Sequence, residues 1–217
     1  MENATSRPMS LSFSSSGAGW AKAKIHIRKN VFNFSISYLW PGINELFACV
    51  YYLYPNWRYD DYNLDAMEYG EADLPGIFDG KEMIMHWEQI PWKTTLDWDG
   101  EGECVRWSFE RPLNINDDFD VDITLDVHQE EEGKHSYTIR YKDLCYAVSK
   151  AISDFIVEYG IIGSFESTWM RDINLRHLLK IKGIALDMPI KNTYDSKDSY
   201  TIHTSIEEEL KLLLKPM

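Results

Sequence analysis

The order of periodicities along the chain predicts an α+β domain. Its antiparallel β-sheet, an N-terminal hairpin plus a later meander, is packed by helices and followed by a C-terminal helical extension. Three observations carry that expectation. Apolar and polar residues alternate in successive short runs joined by turn formers, as in antiparallel strands with one buried face. The clearest run is Asp117-Asp118-Phe119-Asp120-Val121-Asp122-Ile123-Thr124-Leu125-Asp126-Val127. Side chains of a strand alternate between faces, so Phe119, Val121, Ile123, Leu125 and Val127 share one face, and Asp118, Asp120, Asp122, Thr124 and Asp126 share the other. Apolar residues recur at helical spacing once after the hairpin and again after the meander.

Residues 1–17 are Ser-rich, lead into Gly17-Ala18-Gly19 and lack a hydrophobic signal core, so they read as a loose, flexible leader. Ala21, Ala23, Ile25 and Ile27 then alternate with Lys22, Lys24, His26 and Arg28. Lys29-Asn30 turns the chain, and Phe32, Phe34, Ile36 and Tyr38 alternate with Asn33, Ser35 and Ser37, completing a hairpin. Pro41 suits the first turn of a helix, where a missing N–H costs nothing. Ile43, Leu46, Phe47, Val50, Tyr51 and Tyr54 follow at helical spacing up to Pro55, and this helix is expected on the hairpin's apolar face. Residues 56–81 mix Tyr, Asp, Glu, Gly and Pro and read as a long loop or insertion, a kind of segment that often carries function.

Met83 to Trp87 and Thr94 to Trp98 read as strand pieces interrupted by Pro91. Asp99-Gly100-Glu101-Gly102 turns into a strand with Val105, Trp107 and Phe109, which Pro112 ends. The acidic strand follows, then the turn Glu130-Glu131-Glu132-Gly133 and a strand with Tyr137, Ile139 and Tyr141. Asp143 is placed to cap a second helix carrying Leu144, Val148, Ala151, Ile152, Phe155, Ile156 and Tyr159, closed by Gly160. A third helix is expected near Asn174–Leu186, then a polar linker at Lys191–Tyr200. Ser205 with Glu208 forms a capping box for a last helix with Ile206, Leu210, Leu213 and Leu214. The expected organisation is therefore a leader (1–17), one α+β domain (18–190), and a linker with a C-terminal helix (191–217).

A chain of 217 residues with 44% hydrophobic and 14% aromatic content can bury a core. A net charge of −13 argues against nucleic acid or an anionic membrane as partner, and it suits either simple solubility or a basic protein partner. Cys49, Cys104 and Cys145 are odd in number and widely spaced, which suggests neither a disulfide framework nor zinc. With no apolar run of membrane-spanning length, the expectation is a soluble protein of a reducing cytoplasm.

Chemistry leaves few marks. The six histidines form no helical i, i+4 pair and no HExxH. His128 and His135 flank one turn, where with Glu130 they could approach a metal, although exposed turn histidines are the commoner outcome. GxSxG, GxxxxGK[ST] and a helix-opening GxGxxG are all missing. The Asp-x-Asp-x-Asp spacing evokes calcium loops, but the intervening residues are bulky strand formers. No catalytic, cofactor-binding or metal-binding residue is assigned, and no cofactor is expected.

What remains is charge. From Asp97 to Glu132 there are thirteen acidic residues against Arg106 and Arg111. Such a region is either a solvated face or an electrostatic docking surface, which raises association rates and selects a basic partner. The candidate partner-binding residues are Asp97, Asp99, Glu101, Glu103, Asp118, Asp120, Asp122 and Asp126. Trp87, Trp92, Trp98 and Trp107 lie in the same region as interface anchors or core.

The layout resembles small bacterial immunity proteins of polymorphic and contact-dependent growth inhibition toxin systems. The resemblance lies in Gly19-Trp20 at a strand start, Ser37-Tyr38-Leu39 entering a helix, Trp98-Asp99-Gly100-Glu101 leading to Arg106-Trp107, and Leu175-Arg176-His177-Leu178-Leu179-Lys180. It implies a cytoplasmic, non-enzymatic inhibitor that binds a cognate toxin domain, often a basic nuclease, and occludes its active site. Such proteins share no functional residues, so it assigns none here. The alternatives are a hydrolase working through carboxylates, favoured by a buried, perturbed Asp or Glu beside a His, and a homo-oligomeric module built on the tryptophan-rich sheet.

Overall fold

The computed structural model describes residues 7–17, 20–37, 39–51, 53, 92–99, 104–111, 120–129, 133–162, 173–190, 193–194 and 202–217. Within them the fold is α+β, as expected. The readings at 56–81 and 83–87 lie outside the described residues.

The first strand corrects the expected leader: Met9–Gly17 is β1, antiparallel to β2 (Trp20–Ile27) from Met9↔Ile27 to Gly17↔Trp20. Met9, Leu11 and Phe13 are buried while Ser10, Ser12 and Ser14 are exposed, a period of two that serine richness masks. A two-residue turn at Arg28-Lys29, with Arg28 in the left-handed region at φ 56°, leads into β3 (Asn30–Ser37). The three strands form one sheet with an apolar inner face, Ala21, Ala23, Ile25, Ile27, Phe32, Phe34 and Ile36 all being buried.

Helix α1 (Leu39–Tyr51) opens two residues before Pro41, which still falls in the first turn. The meander comprises β4 (Trp92–Asp99), β5 (Cys104–Arg111), β6 (Asp122–Gln129) and β7 (Gly133–Arg140), in spatial order β4-β5-β6-β7. The acidic strand thus begins later than its alternation suggested and runs further; Asp117, Asp118 and Phe119 lie outside the described residues.

The two sheets meet through their apolar faces. Phe34 lies edge-on to Trp98 and Trp107, with ring centroids 6.1 and 5.9 Å away; Phe13 approaches Trp98 at 6.0 Å and Phe32 approaches Tyr137 at 6.2 Å. Because the meander already occupies the hairpin's apolar face, α1 does not lie there as expected. Its main neighbours are β4 and α3 (Leu175–Ala185).

Three side chains from other elements close the C-terminal end of α1, where carbonyls run out of helical partners. The Thr94 hydroxyl donates to the Cys49 carbonyl (3.1 Å), the Tyr141 hydroxyl to that of Val50 (2.8 Å) and the Arg111 guanidinium to that of Leu53 (2.8 Å). All three side chains belong to buried residues.

Tyr141, expected at the end of a strand, instead opens α2 (Tyr141–Tyr159) with its N–H on the Val121 carbonyl at 2.8 Å. The N-cap is Arg140, in extended conformation and without a side-chain cap. Asp143 therefore sits in the first turn, where a carboxylate favours the helix dipole, and it pairs with Arg7 at 3.0 Å. Gly160 ends α2 as expected, at φ 73°. α2 lies against β1 on one side and α3 on the other, and Asn174 caps α3 by accepting from the His177 N–H at 3.0 Å.

The expected linker at Lys191–Tyr200 contains a short strand, β8 (Thr193–Tyr194), which pairs antiparallel with β9 (Ile202–His203) just beyond it. The last helix, α4 (Ile206–Leu214), is capped by Ser205, whose hydroxyl accepts from the Glu208 N–H at 3.3 Å. It is held against α3 by buried Leu212 and by the Lys182 ammonium on the Leu213 carbonyl at 3.0 Å. Gly183 makes room behind it: a Cβ there would stand 2.9 Å from the Met188 carbonyl oxygen. Among the described residues, no helix is long and apolar enough to cross a membrane.

Candidate functional site

Strand alternation sets the outer face of the meander. Asp97 on β4, Arg106 and Glu110 on β5, Asp122 and Asp126 on β6, and Lys134 and Arg140 on β7 point away from the buried side. The structure thus brings Asp97, Asp122 and Asp126 onto one surface, with Asp120 at the foot of β6. Asp99 ends β4 with its side chain outside the described residues; Glu101, Glu103 and Asp118 lie outside them entirely.

Most of these carboxylates already hold a cation. Asp97 faces Arg106 across the β4–β5 ladder and accepts both arms of its guanidinium, at 2.8 and 2.7 Å. Asp120 pairs with Arg140 at 2.9 Å. Asp126 takes Lys134 at 2.8 Å and a 2.5 Å hydrogen bond from the Ser136 hydroxyl. Partial burial works to raise the Asp126 pKa, but the bonds from Lys134 and Ser136 and the charges of Lys134 and Lys93 outweigh it and hold the carboxyl below the usual range. Glu110 and Asp122 are exposed and have no ion pair among the described residues.

The face is accordingly more balanced than a count along the sequence suggests. Its described charges are Asp97, Glu110, Asp120, Asp122 and Asp126 against Lys93, Arg106, Lys134 and Arg140. Three of those cations lie outside the window from Asp97 to Glu132 and reach the face only through strand pairing. Pairing also singles out Glu110: with Glu110 opposite Thr124, it lies diagonal to Asp122, a neighbour that the sequence alone gave no means to find.

Trp98 and Trp107 are 2% and 1% exposed, so they belong to the core and cannot anchor an interface. Trp87 and the Trp92 side chain lie outside the described residues. His128 and His135 do not converge: His128 faces out opposite Lys134, whereas His135 faces in opposite Val127 and meets the Phe32 ring at 5.4 Å. Among the described residues, no group of three His, Cys, Asp or Glu side chains could hold a metal ion.

Among the described residues, the carboxyl whose pKa is raised is one that the sequence did not mark, Glu45 on α1. Burial raises its pKa first, and the charge of Asp97 adds to the effect. The folded state therefore binds the Glu45 proton more tightly than the unfolded chain does, so stability falls as pH rises from the ordinary carboxylate range through the raised value. Glu45→Gln is expected to raise the melting temperature at neutral pH, with the gain disappearing below pH about 4. Thermal melts of both proteins across that range check it; an equal gain at every pH would mean that the charge plays no part.

The thiols offer no nucleophile in the interior. Burial pushes Cys49 up to about 12, with the charge of Glu45 adding to the rise and the Thr94 hydrogen bond opposing it, and burial likewise raises Cys145. Comparison with family models, with curated proteins and with solved structures finds no match to this chain.

Proposed function

We propose that the chain is a non-enzymatic immunity or inhibitor protein that binds and neutralises a cognate basic, nuclease-type toxin domain through the outer face of its meander. The observation that carries this reading is the adjacent pair Glu110 and Asp122, exposed and without ion pairs among the described residues, on a four-stranded sheet backed by a packed core. Beside them Asp97, Asp120 and Asp126 are fixed by cross-strand cations and present their charge in set positions. A surface arranged in this way offers a cationic partner pre-ordered carboxylates, and little ordering entropy is lost on docking. All but the partly buried Asp126 stand in solvent, and a solvated carboxylate is better suited to recognition than to acid–base chemistry. The acidic balance of the chain and its resemblance to immunity proteins point the same way.

The test begins with affinity capture of the tagged full chain from lysate of its source bacterium, the product encoded immediately upstream being the first partner sought. Association kinetics of the captured toxin domain are then compared for wild type and for Glu110→Lys combined with Asp122→Lys. The reversed face is expected to slow association at low salt by about tenfold or more and to flatten its salt dependence. Unchanged kinetics would leave the meander face a solvated surface and move the interface elsewhere.

A further inference from the structure

The exposed large hydrophobic side chains among the described residues are unevenly placed. All but Val31 lie in the last turn of α2 (Val157), just past its Gly160 cap (Ile161 and Ile162), or on α4 (Ile206, Leu210 and Leu214). The three on α4 are four residues apart, hence on one stripe, and are 67%, 50% and 79% exposed. The opposite side of α4 is fixed by buried Leu212 and by Lys182 on the Leu213 carbonyl, so the stripe is a held surface. The Met217 sulfur lies 3.9 Å from the Ser153 hydroxyl, so the end of the chain beyond α4 reaches α2. A groove of about 510 Å³ borders the stripe, lined in part by Leu175, Leu179 and Ile190. An apolar surface of this kind, rimmed by charge, is a mark of association.

We propose that α4 pairs antiparallel with α4 of a second copy of this chain, forming a symmetric homodimer. The choice of occupant rests on charge. One flank of the stripe carries Glu207 and, one turn on, Lys211, acidic at the helix start and basic towards its end, while Lys215, the C-cap, holds the Met188 sulfur at 3.0 Å. A two-fold axis beside Leu210 sets Leu210 against its own copy, Ile206 against Leu214, and Glu207 beside the second copy's Lys211. A parallel pairing would set the Glu207 flank of one helix against the Glu209 flank of the other, acid against acid. Self-complementarity is what a two-fold interface requires, whereas an unrelated partner needs none. With only nine residues in α4, the helix pair by itself falls short of the roughly 1,200 Å² of a standard interface, so the dimer is expected in the micromolar range. This inference does not rest on the toxin reading, which uses the meander face.

Sedimentation equilibrium of the full chain between about 1 and 100 μM tests it, the range in which a micromolar dimer dissociates. Wild type is expected to pass from monomer to dimer, and Leu210→Lys to stay monomeric. Glu207→Lys should weaken the dimer about tenfold, and adding Lys211→Glu should restore it, since the two reversals rebuild the same complementarity. Circular dichroism melts keep the result interpretable, because these side chains are exposed and their replacement should leave folding intact. A wild type that is monomeric throughout, or a dimer that Leu210→Lys leaves unchanged, overturns the proposal.

Discussion

Trp107→Ala should cost about 3–5 kcal/mol, a large share of the roughly 5–15 kcal/mol that holds a domain folded. Trp107 is 1% exposed and stands where the two sheets meet, with ring centroids 4.8 Å from Trp98, 5.9 Å from Phe34 and 6.2 Å from Phe109. Truncation removes the transfer energy of a large ring and leaves a cavity that two rigid sheets cannot collapse into. Trp107→Phe should cost much less. It retains most of the ring contacts, and it deletes a buried indole N–H that has no hydrogen-bond partner among the described residues. Urea denaturation followed by far-ultraviolet circular dichroism measures both variants. A loss below about 1 kcal/mol for Trp107→Ala would be typical of an ordinary surface-like site and incompatible with sheets joined at this residue.

Lys182→Ala is the second large effect expected, about 2–4 kcal/mol. The residue is 1% exposed, and its ammonium bonds the Ser153 hydroxyl at 3.3 Å and the Leu213 carbonyl at 3.0 Å, tying α3 to both α2 and α4. Removing it empties a long buried side chain and strands a carbonyl in the last turn of α4. Burial lowers the pKa of this lysine below the ordinary value. Between the lowered and the ordinary pKa, the unfolded chain binds more protons than the folded one, so the Lys182 contribution makes stability rise with pH across that alkaline window and level off above it. Below the window its charge is a constant burden on the fold. Lys182→Met keeps much of the volume and cannot titrate, so it should lose that rise. Urea midpoints for wild type and Lys182→Met from pH 7 to about 11 decide the matter, and parallel curves would show an ammonium still in contact with water.

The strands and helices were legible where residues declare their period. β2, β3, β5 and α2 follow from alternation or helical spacing that apolar residues mark at nearly every turn. β1 was hidden because serine is indifferent to strand and loop, leaving only Met9, Leu11 and Phe13 to show the pattern. The packing of α1 was not legible, because one strand face does not say whether a helix or another sheet will cover it. Here the aromatic rings of β4, β5 and β7 reach Phe13, Phe32 and Phe34 first. For the candidate site, alternation correctly placed Asp122 and Asp126 on an outer face, since that rule is local. Charge balance was not local. Arg140 and Lys134 compensate Asp120 and Asp126 from the next strand, which a count along the chain cannot register. Glu45 escaped notice because its environment comes from β4, far off in sequence.

The closed end of α1 has a consequence for what the chain tolerates. Thr94 on β4 holds the Cys49 carbonyl and Arg111 on β5 holds that of Leu53, so the end of α1 is fastened to the two strands that open the meander. Loss of either donor takes a partner from a buried carbonyl, which costs more than the bond itself is worth. In descendants of this chain, Thr94 and Arg111 should therefore stay fixed while the exposed outer positions of the same strands drift.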